Sequence, residues 1–457
     1  MIRRSSYLNH VHVGDGTTLL FSGISLCVDL VPRDYWDSMR KDDFSFLTRE
    51  EKEHLLNRGH LTNLTRAKEL EAFKRQARYI YAKNTEITKK QRRASLCFIL
   101  TYRCNLACAY CYQKTAYCKS PGPPLSEKQV EEILTKYLPE MFPGVPKKNL
   151  SFLLFGGEPL LPANRKSIVR ILRYARQHSV NVIASTNAIH VPEMIEFFGR
   201  EYGKIQEVQV TLDGDRAFHD TQRIPVSGEP TFDRIISAIR MLKKTKASVL
   251  LRIHTHPHRM KSTQRLAEFL QQQKIVGDNV KMYFSPLNDF QKCNREDMHA
   301  FKRIFERISQ RTHIPPSSNL TFLKRLLEMQ ESKIFLKTRY CTVGSNSFRI
   351  IDPRGDIYDC YEEVGDRRRR IAAIADGKLK YTPLRKTYAR RTLLNMPICL
   401  KCSFALFCGG GCAIRARKQT GSIFHPYCHQ NKEYIRDTLK MYYLLGRTAN
   451  LDFVKKT

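Results

Sequence analysis

Residues 104–112 read CNLACAYCY and place Cys104, Cys108 and Cys111 at a C-x3-C-x2-C spacing. Positions i, i+4 and i+7 share one face of a helix, so three small thiols there could simply line a core. The alternative is metal chemistry. Three thiolates are one too few to close a tetrahedral zinc site, and they equally leave one iron of a 4Fe-4S cube without a protein ligand. An open iron is a place for a substrate or cofactor to bind.

Cys341, Cys360, Cys399, Cys402, Cys408, Cys412 and Cys428 form a second group near the C-terminus, while Cys27, Cys97, Cys118 and Cys293 are scattered and read as core or surface thiols. Fourteen cysteines in 457 residues favour metal or redox use over disulfides in a reducing compartment. The stretch MIRRSSYLNHVHVGDG is basic but lacks the roughly 7–15 apolar residues of an export signal, and no apolar run approaches the roughly 20 residues that span a bilayer. A soluble, cytoplasmic chain is expected. The formal charge of +34 suggests an acidic partner, although DRRRR (366–370) and KTYARR (386–391) read as solvated surface. Basic residues are dispersed instead of interleaved with aromatics, so nucleic acid is not expected as the partner.

The elements that must position these residues follow from pattern. Residues 7–13, 17–22 and 25–31 read as short strands, the first two joined across a Gly-Asp-Gly turn. Thr48 and Glu51 form a capping box before a helix, a longer helix follows at about 63–83, and NTEITKKQRR reads as a polar linker closing a small α+β unit, residues 1–92. From residue 93 to 310, apolar strands alternate with helices. The strands are 94–102, 150–155, 180–185, 207–213, 248–254 and 280–286; the helices include SEKQVEEILTKYL, where Ser126 and Gln129 have capping-box spacing, and TFDRIISAIRMLKK. Six βα units predict an α/β fold, a partial (β/α)6 TIM-type barrel whose ligand site lies at the C-terminal strand ends. CNLACAYC follows the first strand, GGEP (156–159) the second, STN (185–187) the third and LDGD (212–215) the fourth. A helical bridge (311–340), a cysteine-rich domain (341–430) and a C-terminal helical segment (431–457) complete the expected order.

The three-cysteine spacing, with Tyr110 just before the last cysteine, resembles the signature of the radical S-adenosylmethionine (SAM) superfamily. That resemblance implies that Cys104, Cys108 and Cys111 ligate a 4Fe-4S cluster, that SAM chelates the open iron, and that a 5'-deoxyadenosyl radical takes hydrogen from substrate. Gly156, Gly157, Glu158 and Pro159 resemble the family's glycine-rich motif, with the glycines allowing close backbone approach and Glu158 facing the SAM ammonium. Ser185, Thr186 and Asn187 resemble the ribose-binding strand end, with Ala188 where glycine is common. TLDGDRAFHDTQR (211–223), followed by Gly228 and Thr231-Phe232, resembles a segment of peptide-modifying members. Thr211, Asp213 and Arg223 are candidates there for cofactor contact, as is Arg252 on the fifth strand.

The seven C-terminal cysteines resemble the SPASM domain, which holds one or two auxiliary Fe-S clusters. The resemblance implies one complete cluster on Cys399, Cys402, Cys408 and Cys428, and another on Cys341, Cys360 and Cys412. The second set is one ligand short: sulfatase-maturating relatives provide an additional cysteine between the first two, residues 342–359 contain none, and an open iron or a non-cysteine ligand such as an aspartate is left. Sulfatase-maturating relatives carry an aspartate directly after the cysteine matching Cys360, where this chain has Tyr361, Glu362 and Glu363. Residues 1–92 resemble, in topology, the winged-helix element by which peptide maturases hold a leader as an added strand. The function expected is a radical SAM maturase that installs a thioether or carbon–carbon crosslink in a ribosomally made peptide. Its expected partners are that precursor peptide, leader plus core, and a reductase such as flavodoxin or ferredoxin. A formylglycine-forming, sulfatase-maturating type of protein oxidase and an RNA-modifying radical SAM enzyme are the alternatives.

Overall fold

The computed structural model describes residues 2–14, 16–114, 121–226, 228–255, 259–286, 336–428, 431–444 and 452–453. Cys118, Cys293 and residues 311–335 of the expected helical bridge lie outside the described residues. The chain forms two compact units: one of Met1–Lys90, Ser318–Cys341 and Tyr388–Thr457, the other of Gln91–Ser317 and Thr342–Thr387.

The larger unit is built on the six expected parallel strands, Ala94–Ile99, Leu150–Phe155, Asn181–Thr186, Glu207–Leu212, Ser248–Thr255 and Val280–Pro286, which lie side by side in chain order. Their alternation follows the pleat. Val182, Ala184, Val208, Val210, Leu212, Val249, Leu251 and Ile253 are buried on one face, the face covered by helices, because residues two apart in a strand share a face. The helices Arg165–His178, Phe232–Lys244 and Met260–Gln272 each present a buried apolar stripe, such as Ile235, Ile236, Ile239 and Leu242 of the second. Ser185, Gln209, Thr211 and Arg252 stand on the other face and are half-buried. Ser126 forms its capping box with Gln129, as the spacing predicts.

The sheet extends beyond the first strand. Phe348–Ile351 pairs parallel to Ala94–Ile99, and Asp356–Tyr358, Ala372–Ala375 and Lys378–Tyr381 continue antiparallel to make ten strands. The expected cysteine-rich domain of 341–430 is therefore divided: residues 342–387 belong with the parallel strands, and residues from Tyr388 onward belong to the other unit.

The smaller unit corrects two further expectations. Strands Leu8–Gly14, Thr17–Ser22 and Val28–Pro32 form an antiparallel sheet, with Asp452–Phe453 added parallel to the last. All six residues of the middle strand are buried, because both faces are covered. Leu20 and Val31 pack with Tyr35, Trp36, Met39 and Leu55, while Leu19, Phe21 and Leu30 pack with Phe404, Phe407, Ile435 and Leu439. Residues 1–92 thus do not stand apart; one face of their sheet is the wall of the C-terminal cysteine region. The capping box of Thr48 and Glu51 is present. The helix expected at 63–83 runs from Arg66 to Gln91 and absorbs the expected linker. NTEITKKQ contains no glycine or proline to end it, and Glu86 and Lys90 pair one turn apart at 2.7 Å. Among the described residues, no helix is long and apolar enough to cross a membrane.

Candidate active site

The first strand delivers the chain to Arg103, and the cysteine loop lies directly on the GGEP turn. Gly157 N–H donates to Thr101 O (2.8 Å) and Glu158 N–H to Arg103 O (2.9 Å). A Cβ on Gly156 would sit 2.4 Å from Thr101 O, and one on Gly157 would sit 2.1 Å from Arg103 O. The glycines therefore permit close approach of the cysteine loop's own backbone. Glu158 is fully buried and accepts from Thr186 Oγ1 (2.6 Å), Asn187 N–H (2.8 Å) and Leu160 N–H (2.9 Å). Burial pushes its carboxyl above the ordinary range, against the pull of those three donors. An ionised carboxylate offers about four acceptor positions, so three contacts leave room for one further donor such as an ammonium. Pro159 is buried behind it and its carbonyl accepts from Asn164 Nδ2 at 2.9 Å.

The other side of the loop is held by the segment after the fourth strand. Ala107 N–H donates to Ile224 O (2.7 Å), Ala109 N–H to Gln222 O (3.0 Å), and Val226 N–H to Asn105 O (3.0 Å). Tyr110 reaches down from the loop, its hydroxyl donating to Asp213 Oδ2 at 2.6 Å. Arg223 Nη1 donates to the Tyr110 oxygen at 3.0 Å and lies 3.6 Å from Asp213 Oδ2. Arg223 is buried and its Nε has no hydrogen-bond acceptor among the described residues. His254, on the fifth strand, sits with Nδ1 3.1 Å from Asp213 Oδ1 and its ring edge-on to Tyr110. Asp213 N–H donates to His219 Nδ1 at 3.3 Å, and burial pulls His219 down to about 4, so it is neutral at physiological pH.

Of the STN residues, Thr186 and Asn187 are committed to this scaffold. Asn187 Nδ2 donates to Asn105 Oδ1 at 2.7 Å and lies 3.9 Å from Cys104 Sγ. Ala188 takes a left-handed φ of 67°, so the turn that suits glycine is kept despite a cost on the order of 1–2 kcal/mol. Ser185 alone faces the open side, accepting from Gln209 Nε2 at 3.2 Å. Thr211 and Arg252 are register neighbours on that side, and Arg252 donates to Ser285 Oγ at 3.0 and 3.1 Å. His254, His219 and Asn105 were not among the residues expected from the sequence; the signal for His254 was its place at a strand end in RIHTH.

Cys104, Cys108 and Cys111 are the thiols that would hold a cluster here; burial pushes Cys104 up to about 12 and raises Cys108, so a metal's charge would be needed to draw the proton from those two. Among the described residues, no group of three His, Cys, Asp or Glu side chains converges as a single-ion site. A cubane spreads its thiolates over separate irons and does not call for that convergence.

In the smaller unit, Cys399, Cys402, Cys408 and Cys428 line one cavity of about 220 Å³ with Phe404, Tyr427 and Lys432. Gly409, Gly410 and Gly411 follow Cys408 with φ of 72°, 87° and 72°, which leaves the N–H groups of Gly410 and Gly411 aimed at the Cys408 sulfur. Asn431 Nδ2 adds a third donor at 3.7 Å. Burial raises the Cys408 thiol while these amides pull it back, an environment suited to sulfur that carries negative charge. The four cysteines expected to form the complete auxiliary set are thus the four around this cavity. The second set is divided: Cys341 and Cys412 belong to the smaller unit and Cys360 to the larger.

The idea of an aspartate ligand from residues 342–359 meets a physical obstacle. Asp352 accepts from Tyr102 Oη (2.6 Å) and two backbone amides, Asp356 pairs with Arg367 and Arg370, and Asp359 pairs with Arg349 and accepts from Gly344 N–H. All three are buried and already partnered. Tyr361 packs its ring 4.9 Å from Phe155 and 5.5 Å from Phe348, and burial drives its hydroxyl far above the ordinary range. Glu363, two residues on, is buried. Of the basic residues in the two runs read as solvated surface, only Arg391 is buried, donating to Gly410 O at 3.2 Å; Arg367 and Arg368 are exposed, as expected, while pairing with Asp356 and Asp366.

Residues 98–270 match the Radical SAM superfamily, whose members use a 4Fe-4S cluster and SAM. A serine-type anaerobic sulfatase-maturating enzyme of Bacteroides thetaiotaomicron is 32% identical over 148 residues, 31% of this chain and 34% of that protein. The chain thus spans about a third of that relative's length. A cysteine-type anaerobic sulfatase-maturating enzyme of Clostridium novyi is 21% identical over 76% of this chain and 95% of its own. Among solved structures, native anSMEcpe with bound AdoMet and the Cp18Cys peptide aligns with a TM-score of 0.59 at 17% identity, over 78% of this chain and 99% of that one.

Proposed function

We propose that this chain is a radical SAM maturase that installs a crosslink in a ribosomally made peptide. The observation that carries the reading is the clamped cysteine loop. Cys104, Cys108 and Cys111 sit at the C-terminal strand ends between the GGEP turn and residues 222–226, where an α/β sheet presents its ligand site.

A cluster with SAM bound there would supply radical chemistry able to take hydrogen from an unactivated carbon. The protein's part is positioning. Glu158 offers its remaining acceptor position to the SAM ammonium, Ser185 offers a hydroxyl to the ribose, and Arg223 and Thr211 are the candidates for the carboxylate end. Arg252 and its register neighbour Tyr283, whose hydroxyl donates to Gln209 Oε1 at 2.9 Å, give the open face polar groups that suit a peptide chain. Cys399, Cys402, Cys408 and Cys428 would hold an auxiliary cluster, which would supply one-electron redox capacity.

A second reading, oxidation of a serine or cysteine to formylglycine, is favoured by the two sulfatase-maturating relatives. Against it stands Tyr361, which occupies the position of those relatives' aspartate yet is packed among aromatic rings with its hydroxyl held protonated.

Anaerobic reconstitution followed by reduction in the presence of SAM tests the enzyme class: 5'-deoxyadenosine forms with the native chain and not with Cys104→Ala. Bound zinc with no SAM cleavage would overturn it. Mass spectrometry of short peptides encoded beside this chain separates the substrate readings, since crosslinking removes two hydrogens and leaves two residues joined, whereas formylglycine formation alters one residue alone.

A further inference from the structure

Asp213 gathers more of the site than any residue the radical chemistry requires. It is completely buried, and its two carboxylate oxygens are shared between separate elements: Oδ2 takes the Tyr110 hydroxyl at 2.6 Å and faces Arg223 at 3.6 Å, while Oδ1 lies 3.1 Å from His254 Nδ1. Its own N–H is taken up by His219. The neighbouring polar residues serve the same segment. Asp215 caps the helix Arg216–Gln222 through Phe218 N–H (3.3 Å), and Asp220 accepts from Thr231 N–H (2.8 Å) and Phe232 N–H (3.0 Å). TLDGDRAFHDTQR is therefore a brace. It leads into residues 222–226, whose backbone pairs with the cysteine loop, and its Asp213 carboxylate holds that loop's tyrosine.

We infer that Asp213 is a positioning residue for the cluster, acting through Tyr110: it fixes the Cys108–Cys111 turn to the fourth and fifth strands, so that the thiols are placed before any metal arrives. The inference rests on the radical SAM reading for its purpose, but the brace itself exists in the polypeptide. A buried carboxylate shared by two strand ends and a loop is worth more than its separate bonds, because each partner is left unsatisfied when it is removed. Direct contact of Asp213 with a cofactor is disfavoured by the same geometry, since both of its oxygens are occupied and the residue has no solvent exposure.

The test compares Tyr110→Phe, Asp213→Asn and His254→Gln with the native chain. Tyr110→Phe keeps the ring and removes one hydroxyl, so it guards against a result that only reports unfolding. In the metal-free protein, hydrogen exchange by mass spectrometry is expected to speed up about tenfold at Ala107 and Ala109, whose amides pair with Ile224 and Gln222, while strands 150–155 and 181–186 keep their protection. In the reconstituted protein, a chelator is expected to strip the SAM-responsive cluster about tenfold faster in Tyr110→Phe and Asp213→Asn, with the SAM dissociation constant of the intact cluster changed by less than about threefold. Unchanged exchange and unchanged iron retention would overturn the positioning role. So would a selective loss of SAM affinity in Asp213→Asn alone, which would make Asp213 a cofactor contact. If the native chain forms no SAM-responsive cluster, the functional reading fails; the exchange comparison still decides the brace.

Discussion

Asp352 gives the described chain a distinct pH signature at the scale of one residue. Burial raises its carboxyl from an ordinary 3.8 to about 6, although Tyr102 and two backbone amides donate to it. A carboxyl whose pKa is higher folded than unfolded binds its proton more tightly in the fold. Its contribution is therefore fully present below the unfolded value and is lost as pH rises through about 6. Asp352→Asn stays neutral throughout, so it is expected to be the more stable protein above about pH 6, by on the order of 1–3 kcal/mol. That advantage should disappear as pH falls toward the unfolded value. Thermal unfolding across this range checks it; a difference from the native chain that does not vary with pH would show that Asp352 does not titrate there. The residue scale is also where the sequence was least informative. Spacing placed Asp213, Thr186 and Asn187 at strand ends, but it carries no side-chain direction. That all three turn inward to brace Tyr110, Glu158 and Asn105 appears only once distances are known.

Elements were the most legible scale. Alternation and length located all six parallel strands, because a strand covered by helices must carry an apolar face of period two. The cysteine, GGEP, STN and LDGD motifs followed from strand ends. Where turns decide, glycine does what pattern cannot specify. At Gly157 an added Cβ meets Arg103 O at 2.1 Å, and at Gly411 it meets Tyr427 O at 2.0 Å. Both obstacles are backbone, which has little freedom to yield, so each alanine substitution is expected to cost on the order of 2 kcal/mol or more and to displace its own cysteine loop. The expected outcome is reciprocal. Gly157→Ala loses the SAM-responsive electron paramagnetic resonance signal and keeps the auxiliary one, and Gly411→Ala does the reverse. Loss of both signals from either variant would contradict independent loops. Asn431→Leu is a milder probe of the second loop: it removes one donor from the Cys408 sulfur and should lower the auxiliary cluster's midpoint potential without loss of iron, a shift readable by redox titration.

At the scale of the whole molecule, the sequence suggested a chain of modules read from left to right, and contacts between distant segments are what such a reading lacks. Val11, Leu19, Phe21 and Leu30 pack on Phe404, Phe407, Ile435 and Leu439, Tyr7 Oη donates to Leu400 O at 2.8 Å, and Asn9 Nδ2 donates to Ser403 O at 3.1 Å. An apolar side chain of this size contributes about 1.5–3 kcal/mol when fully buried, so a fragment of residues 1–92 would expose a wall worth many times that. The fragment is expected to lack cooperative thermal unfolding and to bind hydrophobic dyes, whereas co-expression with residues 388–457 should improve its solubility. A fragment that unfolds cooperatively alone would refute this single-core reading. The consequence reaches the leader-peptide proposal: deleting residues 1–92 would also strip the wall from Cys402 and Cys408, which pack against that cluster of apolar side chains. Lost peptide binding after deletion would then have two causes. A change on the partly buried face of Leu8–Gly14 that leaves His10 stacked on Trp36, such as His12→Glu, separates them, because it keeps Val11 and Val13 in the core. Weaker peptide binding with the auxiliary cluster signal intact is the result expected if the sheet holds a leader.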